Sequence, residues 1–234
     1  MHLSLRTSLV AAFLVVAAPF ARAQAPADPS GHWEGSVQIP GTELNIEVDL
    51  TRNSQGGITG TLGNSEQKGF PLTTAAMRGQ SISFHARVDQ PFEGVLSADG
   101  QSISGTATLE GFRLPFRLTR RGAPRFEAPA RSASISKELE GTWNGTLDVN
   151  GNGLRFVLTM SNHPDGTSTG SLVSLDEGEL KVPVTVTEAA PGLTLELKPV
   201  GSSYTGVLNK EGTELFGTFR QGTFSAPLTF RRQP

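Results

Sequence analysis

The stretch GHWEG at residues 31–35 decides the fold, because it returns as GTWNG at residues 141–145. The two copies contain the only Trp residues of the chain, Trp33 and Trp143. Further matches keep nearly the same spacing: GTL at 60–62 with GSL at 170–172, FEGVL at 92–96 with YTGVL at 204–208, and Pro115 with Pro227. The offset is 110 for the early matches and 112 for the late ones, which indicates a two-residue insertion between positions 172 and 204. An offset this constant indicates an internal duplication.

The duplication divides the chain into two modules of similar length. Module 1 is predicted at residues 31–121 and module 2 at residues 139–234. Two stretches rich in Pro, Ala and Ser separate them from their surroundings, at residues 24–30 and 122–138, and we interpret both as linkers.

Both modules show the alternation of apolar and polar residues that is typical of antiparallel sheets with one buried face. Examples are LNIEVDL at 44–50 and LTLEL at 193–197, with turn sequences such as ADG at 98–100 and PDG at 164–166 between such runs. We expect an all-β protein with about six to eight short strands per module. Glycines inside the strands, which allow sharp bends, favour two tandem up-and-down β-barrels over sandwiches. Closure would also remove exposed sheet edges.

The first 23 residues have the pattern of a signal peptide. Arg6 precedes a 12-residue apolar run at 9–20, and the small residues Ala21 and Ala23 mark a cleavage site before Gln24. The run is shorter than the roughly 20 residues needed to span a bilayer. No Cys follows it, so a lipid-anchored cysteine is excluded. We predict a periplasmic or secreted protein without an integral membrane segment after cleavage.

The composition excludes several classes of function. The chain has 234 residues and a formal net charge of −2, which gives no electrostatic basis for binding nucleic acid. It contains no Cys, so disulfides, thiol catalysis and thiolate metal sites are absent. Each module must therefore be stabilised by its core alone.

Each module also ends in an arginine pair. The pairs are Arg120-Arg121 and Arg231-Arg232. A Gly-x-Trp on the first strand with an Arg on the last strand resembles the lipocalin and avidin-like barrels, and this resemblance implies that the Trp plugs one barrel end while the Arg lies across it. We select Arg120 for Trp33 and Arg232 for Trp143. The alternative is a core Trp with unrelated surface arginines.

Module 2 resembles a second group more closely, the non-catalytic β domain that precedes the enzyme in some exported bacterial α/β-hydrolases and serine peptidases. The matching segments are GTWNGTL at 141–147, SLDEG at 174–178, PV at 183–184, YTGVL at 204–208, GTFRQG at 217–222 and PL at 227–228. Module 1 matches loosely and has GNSEQKG at 63–69 in place of SLDEG. The resemblance implies an accessory domain without its enzyme. Within these segments we select Asp176, Glu177, Tyr204 and Gln221 as candidate binding or loop residues; Glu177 stands where the family tends to have Gln.

Two motifs look catalytic or metal-binding, but their contexts argue against both roles. GTSTG at 166–170 has the form of a nucleophile elbow around Ser168. Such an elbow requires a His later in the chain, and no His follows Ser168. DVNGNG at 148–153 begins like a calcium loop, but its twelfth position is Thr159 rather than Glu. The three His residues of the modules, His32, His85 and His163, lack ligand spacing. We predict no catalytic residue, metal site or cofactor.

These observations favour an exported, non-enzymatic binding or accessory protein. Its partner would be a small apolar ligand, an envelope polymer or an exported hydrolase. One alternative is a component or remnant of an exported α/β-hydrolase system. Another is a periplasmic hydrolase inhibitor that uses residues 24–30 as an inhibitory arm.

Overall fold

The computed structural model describes residues 28–65, 67, 69–125 and 131–233, and most of them form β-strands. The predicted signal peptide and its cleavage site lie outside the described residues. Module 1 contains β1 Gly31–Ile39, β2 Thr42–Arg52, β3 Ile58–Gly63, β4 Phe70–Pro71, β5 Thr74–Arg78, β6 Ser81–His85, β7 Phe92–Leu96, β8 Ser102–Leu109 and β9 Phe112–Gly122. Module 2 contains β10 Ser132–Ala133, β11 Gly141–Val149, β12 Asn152–Asn162, β13 Thr167–Ser174, β14 Leu180–Ala189, β15 Gly192–Leu197, a short 3₁₀ helix Lys198–Val200, β16 Ser202–Leu208, β17 Glu214–Gln221 and β18 Phe224–Arg232.

Each module is an antiparallel meander in which the first and last long strands pair with each other. In module 2, β11 pairs with β18 and β13 pairs with β14, which gives a closed eight-stranded barrel with β10 added beside β13. Module 1 is a curled nine-stranded sheet in the order β4-β3-β2-β1-β9-β8-β7-β6-β5. The predicted all-β class with two barrel-like units is confirmed, although only module 2 is a closed barrel.

Strand pairing locates the difference in length between the modules. Leu62 pairs with Phe70, whereas its counterpart Leu172 pairs with Val182, so two extra residues of module 2 lie in the β13–β14 loop. Module 2 gains one more residue between β15 and β16, because Phe84 pairs with Phe92 where Leu195 pairs with Tyr204. Between these two positions, module 1 gains one residue, Thr73, because Thr74 pairs with His85 where Thr185 pairs with Glu196. An extra residue in one strand disrupts the pairing ladder locally. This explains why β14 is continuous, while the same segment of module 1 is divided into β4 and β5.

Side chains of the chain itself fill both interiors. In module 1, Phe92 stacks on Phe84 with ring centroids 5.0 Å apart, and Phe116 meets Phe92 edge-on with ring centroids 5.3 Å apart. In module 2, Tyr204 meets the ring of Phe230 edge-on at 5.2 Å. Small barrels are commonly filled in this way.

The modules pack against each other through equivalent edges. Phe70 and Ala86 of module 1 are buried within the hydrophobic cluster of module 2. The backbone N–H of Val88 donates to the carbonyl of Gly178 at 2.9 Å. The segment SLDEG at 174–178 therefore contacts module 1.

The predicted linker at 122–138 is shorter in the structure, because residues 131–138 pack on module 2. Ile135 is buried, and its N–H and C=O both bond the side-chain amide of Asn162, at 2.9 and 2.8 Å. The composition of this segment suggested a linker. Its packing could not be predicted from the local sequence, because its hydrogen-bond partners are distant in sequence. Residues 126–130 lie outside the described part of the chain.

Candidate functional site

One end of module 1 is closed by Trp33 and Arg120. The Trp33 ring is fully buried, and its Nε1 donates to the carbonyl of Pro29 at 2.9 Å. The guanidinium carbon of Arg120 lies 4.5 Å from the indole centroid, within the range of a cation–π contact. The same guanidinium donates to three backbone carbonyls, those of Asp28, Ser30 and Gly100. Arg120 thus ties the segment that enters β1 to the hairpin between β7 and β8.

Module 2 repeats this arrangement residue for residue. Trp143 donates through Nε1 to the carbonyl of Leu139 at 3.1 Å, and the guanidinium carbon of Arg232 lies 4.2 Å from the indole centroid. Arg232 donates to the carbonyls of Glu138, Glu140 and Gly212. The second arginine of each pair does not contact the Trp ring: Arg121 forms an ion pair with Glu34, and Arg231 forms one with Glu214. We call each Trp-Arg end the base of its module and the opposite end its mouth.

The mouth of module 1 contains an apolar cleft of about 170 Å³. Its apolar lining consists of Leu44, Ile46, Leu62, Phe70, Ala86, Phe92, Leu109 and Leu180. The last of these belongs to module 2, so the cleft is completed by the contact between the modules. Its polar lining consists of Asn64, Gln67, Arg87 and Gln90. An apolar cleft with a few polar groups at a module boundary is the usual form of a small-ligand site.

Module 2 lacks the same lining at its own mouth. By strand register, Gln221 stands in the place of Leu109 and Tyr204 in the place of Phe92. Gln221 is exposed and donates to the carbonyl of Val200 at 3.0 Å. The apolar cleft is therefore a feature of module 1, although the modules share one fold.

Tyr204 is a core residue, contrary to its selection as a binding residue. It is 1% exposed, and its hydroxyl donates to the carbonyls of Leu215 and Leu228, at 2.9 and 3.3 Å. Burial raises the pKa of the Tyr204 phenol above its ordinary value. The sequence pattern around Tyr204 alternates as in any strand, and the strand register decides that this side chain points inward.

The other two selected residues, Asp176 and Glu177, lie in the loop between β13 and β14. The Asp176 carboxylate accepts the backbone N–H of Arg155 at 2.8 Å and bonds its guanidinium at 2.5 Å. These hydrogen bonds from Arg155 lower the pKa of Asp176. Glu177 is exposed beside Gly178, which contacts module 1. Asp176 therefore holds the shape of a loop that lies between the modules.

The two catalytic-looking motifs form structural elements. Ser168 is fully buried in β13, and its hydroxyl donates to the carbonyl of Ala133 at 2.7 Å. Asn150 and Gly151, both with positive φ, form the two-residue turn between β11 and β12, and Asp148 accepts the N–H of Gly151 at 2.8 Å. Among the described residues, no group of three His, Cys, Asp or Glu side chains could hold a metal ion. No helix in this part of the chain has the length and apolar character needed to cross a bilayer.

A polar cluster around the buried His32 was not predicted from the sequence. His32 is 2% exposed; its Nδ1 lies 3.0 Å from the Asp49 carboxylate and its Nε2 lies 3.1 Å from that of Glu34. Asp49 also accepts the backbone N–H of Arg125 at 2.6 Å. The cluster ties the chain beyond β9 back to module 1. The cross-strand pairing of His32 with Asp49 is the signal that could have revealed it, and that pairing requires the β1–β2 register.

Comparison with known proteins identifies no relative by sequence. No protein-family model matches the chain, and no curated protein matches it. A Bacteroides fragilis protein provisionally assigned as an outer membrane protein is 12% identical, with 87% of this chain and 96% of that chain covered and a TM-score of 0.27. A Nostoc punctiforme protein of unknown function from the DUF3598 family is 15% identical over 87% and 96%, with a TM-score of 0.25. Isotype 1 transferrin binding protein B from serogroup B Neisseria meningitidis is 13% identical over 82% and 53%, with a TM-score of 0.24.

Proposed function

We propose that this protein is an exported, non-catalytic binding protein that accepts the apolar end of a small ligand in the mouth of module 1. The observation that carries the proposal is the apolar cleft there, completed by Leu180 of module 2. Export is supported by the signal-peptide pattern of the first 23 residues. The filled interiors of both modules restrict binding to the mouth or the outer surface.

The size of the cleft limits what can enter it. An apolar cavity of about 150 Å³ in another protein accommodates benzene. A cleft of about 170 Å³ therefore suits one ring or a short alkyl chain. Most of a larger ligand would remain outside, beside the polar side chains of the rim.

The charges at the rim disfavour an anionic ligand. Arg87 bonds Asp89 through two nitrogens, at 3.0 and 2.9 Å. This hydrogen bonding lowers the pKa of Asp89 and raises the pKa of Arg87, so both are ionised at neutral pH and compensate each other. The nearby carboxylates of Glu177 and Glu110 also raise the pKa of Arg87, so its positive charge is more than compensated. The remaining rim groups include the amides of Gln67 and Gln90, which both donate and accept hydrogen bonds. We infer a neutral amphiphile with hydroxyl or amide groups next to a short apolar end.

Filling the cleft should abolish binding. Leu109→Trp places a large ring in the cleft, and the matched control Gln221→Trp places the same ring at the equivalent position of module 2. We expect calorimetric titration with monomeric hexyl glucoside to show binding to the wild-type protein and the control, and an affinity at least about tenfold lower for Leu109→Trp. Shortening the ligand to butyl glucoside should also weaken binding about tenfold, because two CH₂ groups are no longer buried. Equal affinity of wild-type and Leu109→Trp protein would refute a site in this cleft.

A second candidate is an accessory role beside an exported hydrolase. The support is the resemblance of module 2 to hydrolase-associated β domains, which includes SLDEG at 174–178. If this role is correct, tagged protein isolated from its own cells should retain a hydrolase that a fluorophosphonate probe labels. An eluate with no labelled protein would count against it. The inhibitor alternative has less support, because residues 28–30 of the predicted arm are held at the base by Arg120.

A further inference from the structure

The side chain of Phe112 stands at the rim of the mouth cleft and is open to solvent. Phe112 pairs with Leu109, which lines the cleft, across the two-residue turn Glu110-Gly111. Directly paired residues of an antiparallel ladder project to the same face, with Cβ atoms about 5 Å apart. Phe112 is nevertheless 68% exposed, the largest value for a bulky apolar side chain in the described part of the chain. The hairpin therefore places an apolar ring on the inner side of the mouth without burying it.

The equivalent ring of module 2 is packed. Phe224 stands 112 residues after Phe112 and packs against the core cluster of module 2. The last residue of the 3₁₀ helix between β15 and β16, Val200, packs against the same cluster, and its carbonyl accepts a hydrogen bond from Gln221 in the neighbouring hairpin. The connection between β15 and β16 is thus folded toward the mouth of its own module.

Module 1 uses the equivalent connection, between β6 and β7, for a different contact. Its Ala86 is buried in the hydrophobic cluster of module 2, and the N–H of Val88 donates to a carbonyl of module 2 at 2.9 Å. In the same mouth, Leu114 packs against the core of module 1, whereas Phe112 does not. The contact that completes the cleft therefore also leaves the ring of Phe112 uncovered.

The surroundings of Phe112 restrict the chemistry of a group that could lie on its ring. The face of an aromatic ring is negatively polarised, and Glu110 belongs to the same turn, so an anionic group is disfavoured. The amide of Gln90 in the lining of the cleft can bond a hydroxyl group. A sugar ring meets both conditions, because C–H groups cover its faces while its hydroxyl groups project from its edge. An open-chain polyol has the hydroxyl groups but no flat apolar face.

We propose that Phe112 determines the specificity of the mouth site by stacking on the sugar ring of a short alkyl glycoside, whose alkyl end fills the cleft. This inference rests on the proposed function and narrows its neutral amphiphile to a glycoside. The ring extends the apolar surface of the cleft outward, and an apolar surface rimmed by polar groups is typical of ligand-binding grooves.

The test compares two ligands with the same alkyl chain, hexyl glucoside and hexyl glycerol ether, by calorimetric titration. Phe112→Ala should lower the affinity for hexyl glucoside about tenfold, because the stack and its buried area are lost. The affinity for hexyl glycerol ether should change by less than about twofold. Phe112→Tyr keeps the ring and should retain the wild-type affinity. The matched control Phe216→Ala removes another exposed Phe, in β17 of module 2, and should leave both affinities unchanged.

Failure of this inference can be distinguished from failure of the cleft site. If Phe112→Ala binds hexyl glucoside like the wild-type protein while Leu109→Trp does not bind it, the cleft site stands and the stack is wrong. Equal losses for the two ligands would mean that Phe112 contacts only the alkyl chain. Tighter binding of hexyltrimethylammonium than of hexyl glucoside, lost in Phe112→Ala, would assign the ring to a cation and contradict a sugar. A wild-type protein that binds none of these ligands would remove the proposed function and this inference with it.

Discussion

Trp33→Ala should lower the free energy of unfolding by about 3–5 kcal/mol, the range for large buried aromatic side chains. The ring is fully buried at the base of module 1, and its loss also removes the bond to the carbonyl of Pro29 and the contact with Arg120. Without the ring, Arg120 retains its bonds to backbone carbonyls but no longer covers a packed core. Denaturant unfolding followed by circular dichroism measures the effect.

Two controls separate the base of module 1 from the rest of the molecule. Trp143→Ala should produce a similar loss in module 2, where the same contacts recur. Arg121→Ala removes an exposed ion pair with Glu34 and should change stability by less than about 0.5 kcal/mol. Because Trp143 is the only indole left in Trp33→Ala, its fluorescence reports on module 2 separately. A loss below about 1 kcal/mol for Trp33→Ala would contradict the role of the ring as a barrel plug.

Gly35→Ala should destabilise the protein by about 3 kcal/mol, at the upper end for overpacking. A Cβ at Gly35 would lie 1.9 Å from the carbonyl oxygen of Arg117 and 2.9 Å from the Cα of Leu118. Both atoms are backbone of β9, so no side-chain rotation can make room. The substitution must separate β1 from β9, the pair that joins the two ends of the meander in module 1.

The equivalent glycine of module 2 provides the matched comparison. A Cβ at Gly145 would meet side-chain atoms, at 2.8 Å for Phe230 and 3.1 Å for Leu228. Side chains can shift by small rotations, so Gly145→Ala should cost less, about 1–2 kcal/mol. The midpoints of urea unfolding compare the two variants. Equal losses would show that the contact with the β9 backbone does not determine the cost at Gly35.

The duplication made much of the fold predictable. Period-2 alternation and the nearly constant offset identified two β units. The resemblance to lipocalin and avidin-like barrels led to the selection of Arg120 and Arg232, whose guanidinium groups lie over the indole rings. The strand register could not be obtained in this way. The single extra residue Thr73 interrupts closure in module 1, and local sequence gives no sign of it, because the extra residue is defined only against the partner strand.

The candidate site was less predictable than the fold. The cleft is lined from several strands and by Leu180 of the other module, so no short motif contains it. The segment at 131–138 looked like a linker because its stabilising groups, such as Asn162, are far away in sequence. Tyr204 was selected as a candidate binding residue because a motif marks a position without showing which face of the strand it occupies.

Native mass spectrometry of the mature protein, isolated gently from its own cells, tests the central claim most directly. The wild-type protein and the Gln221→Trp control should carry a low-mass adduct that dissociates on activation, and Leu109→Trp should be free of it. The same adduct on Leu109→Trp, or a wild-type protein that carries none and binds no alkyl glucoside, would contradict a ligand site in the mouth of module 1.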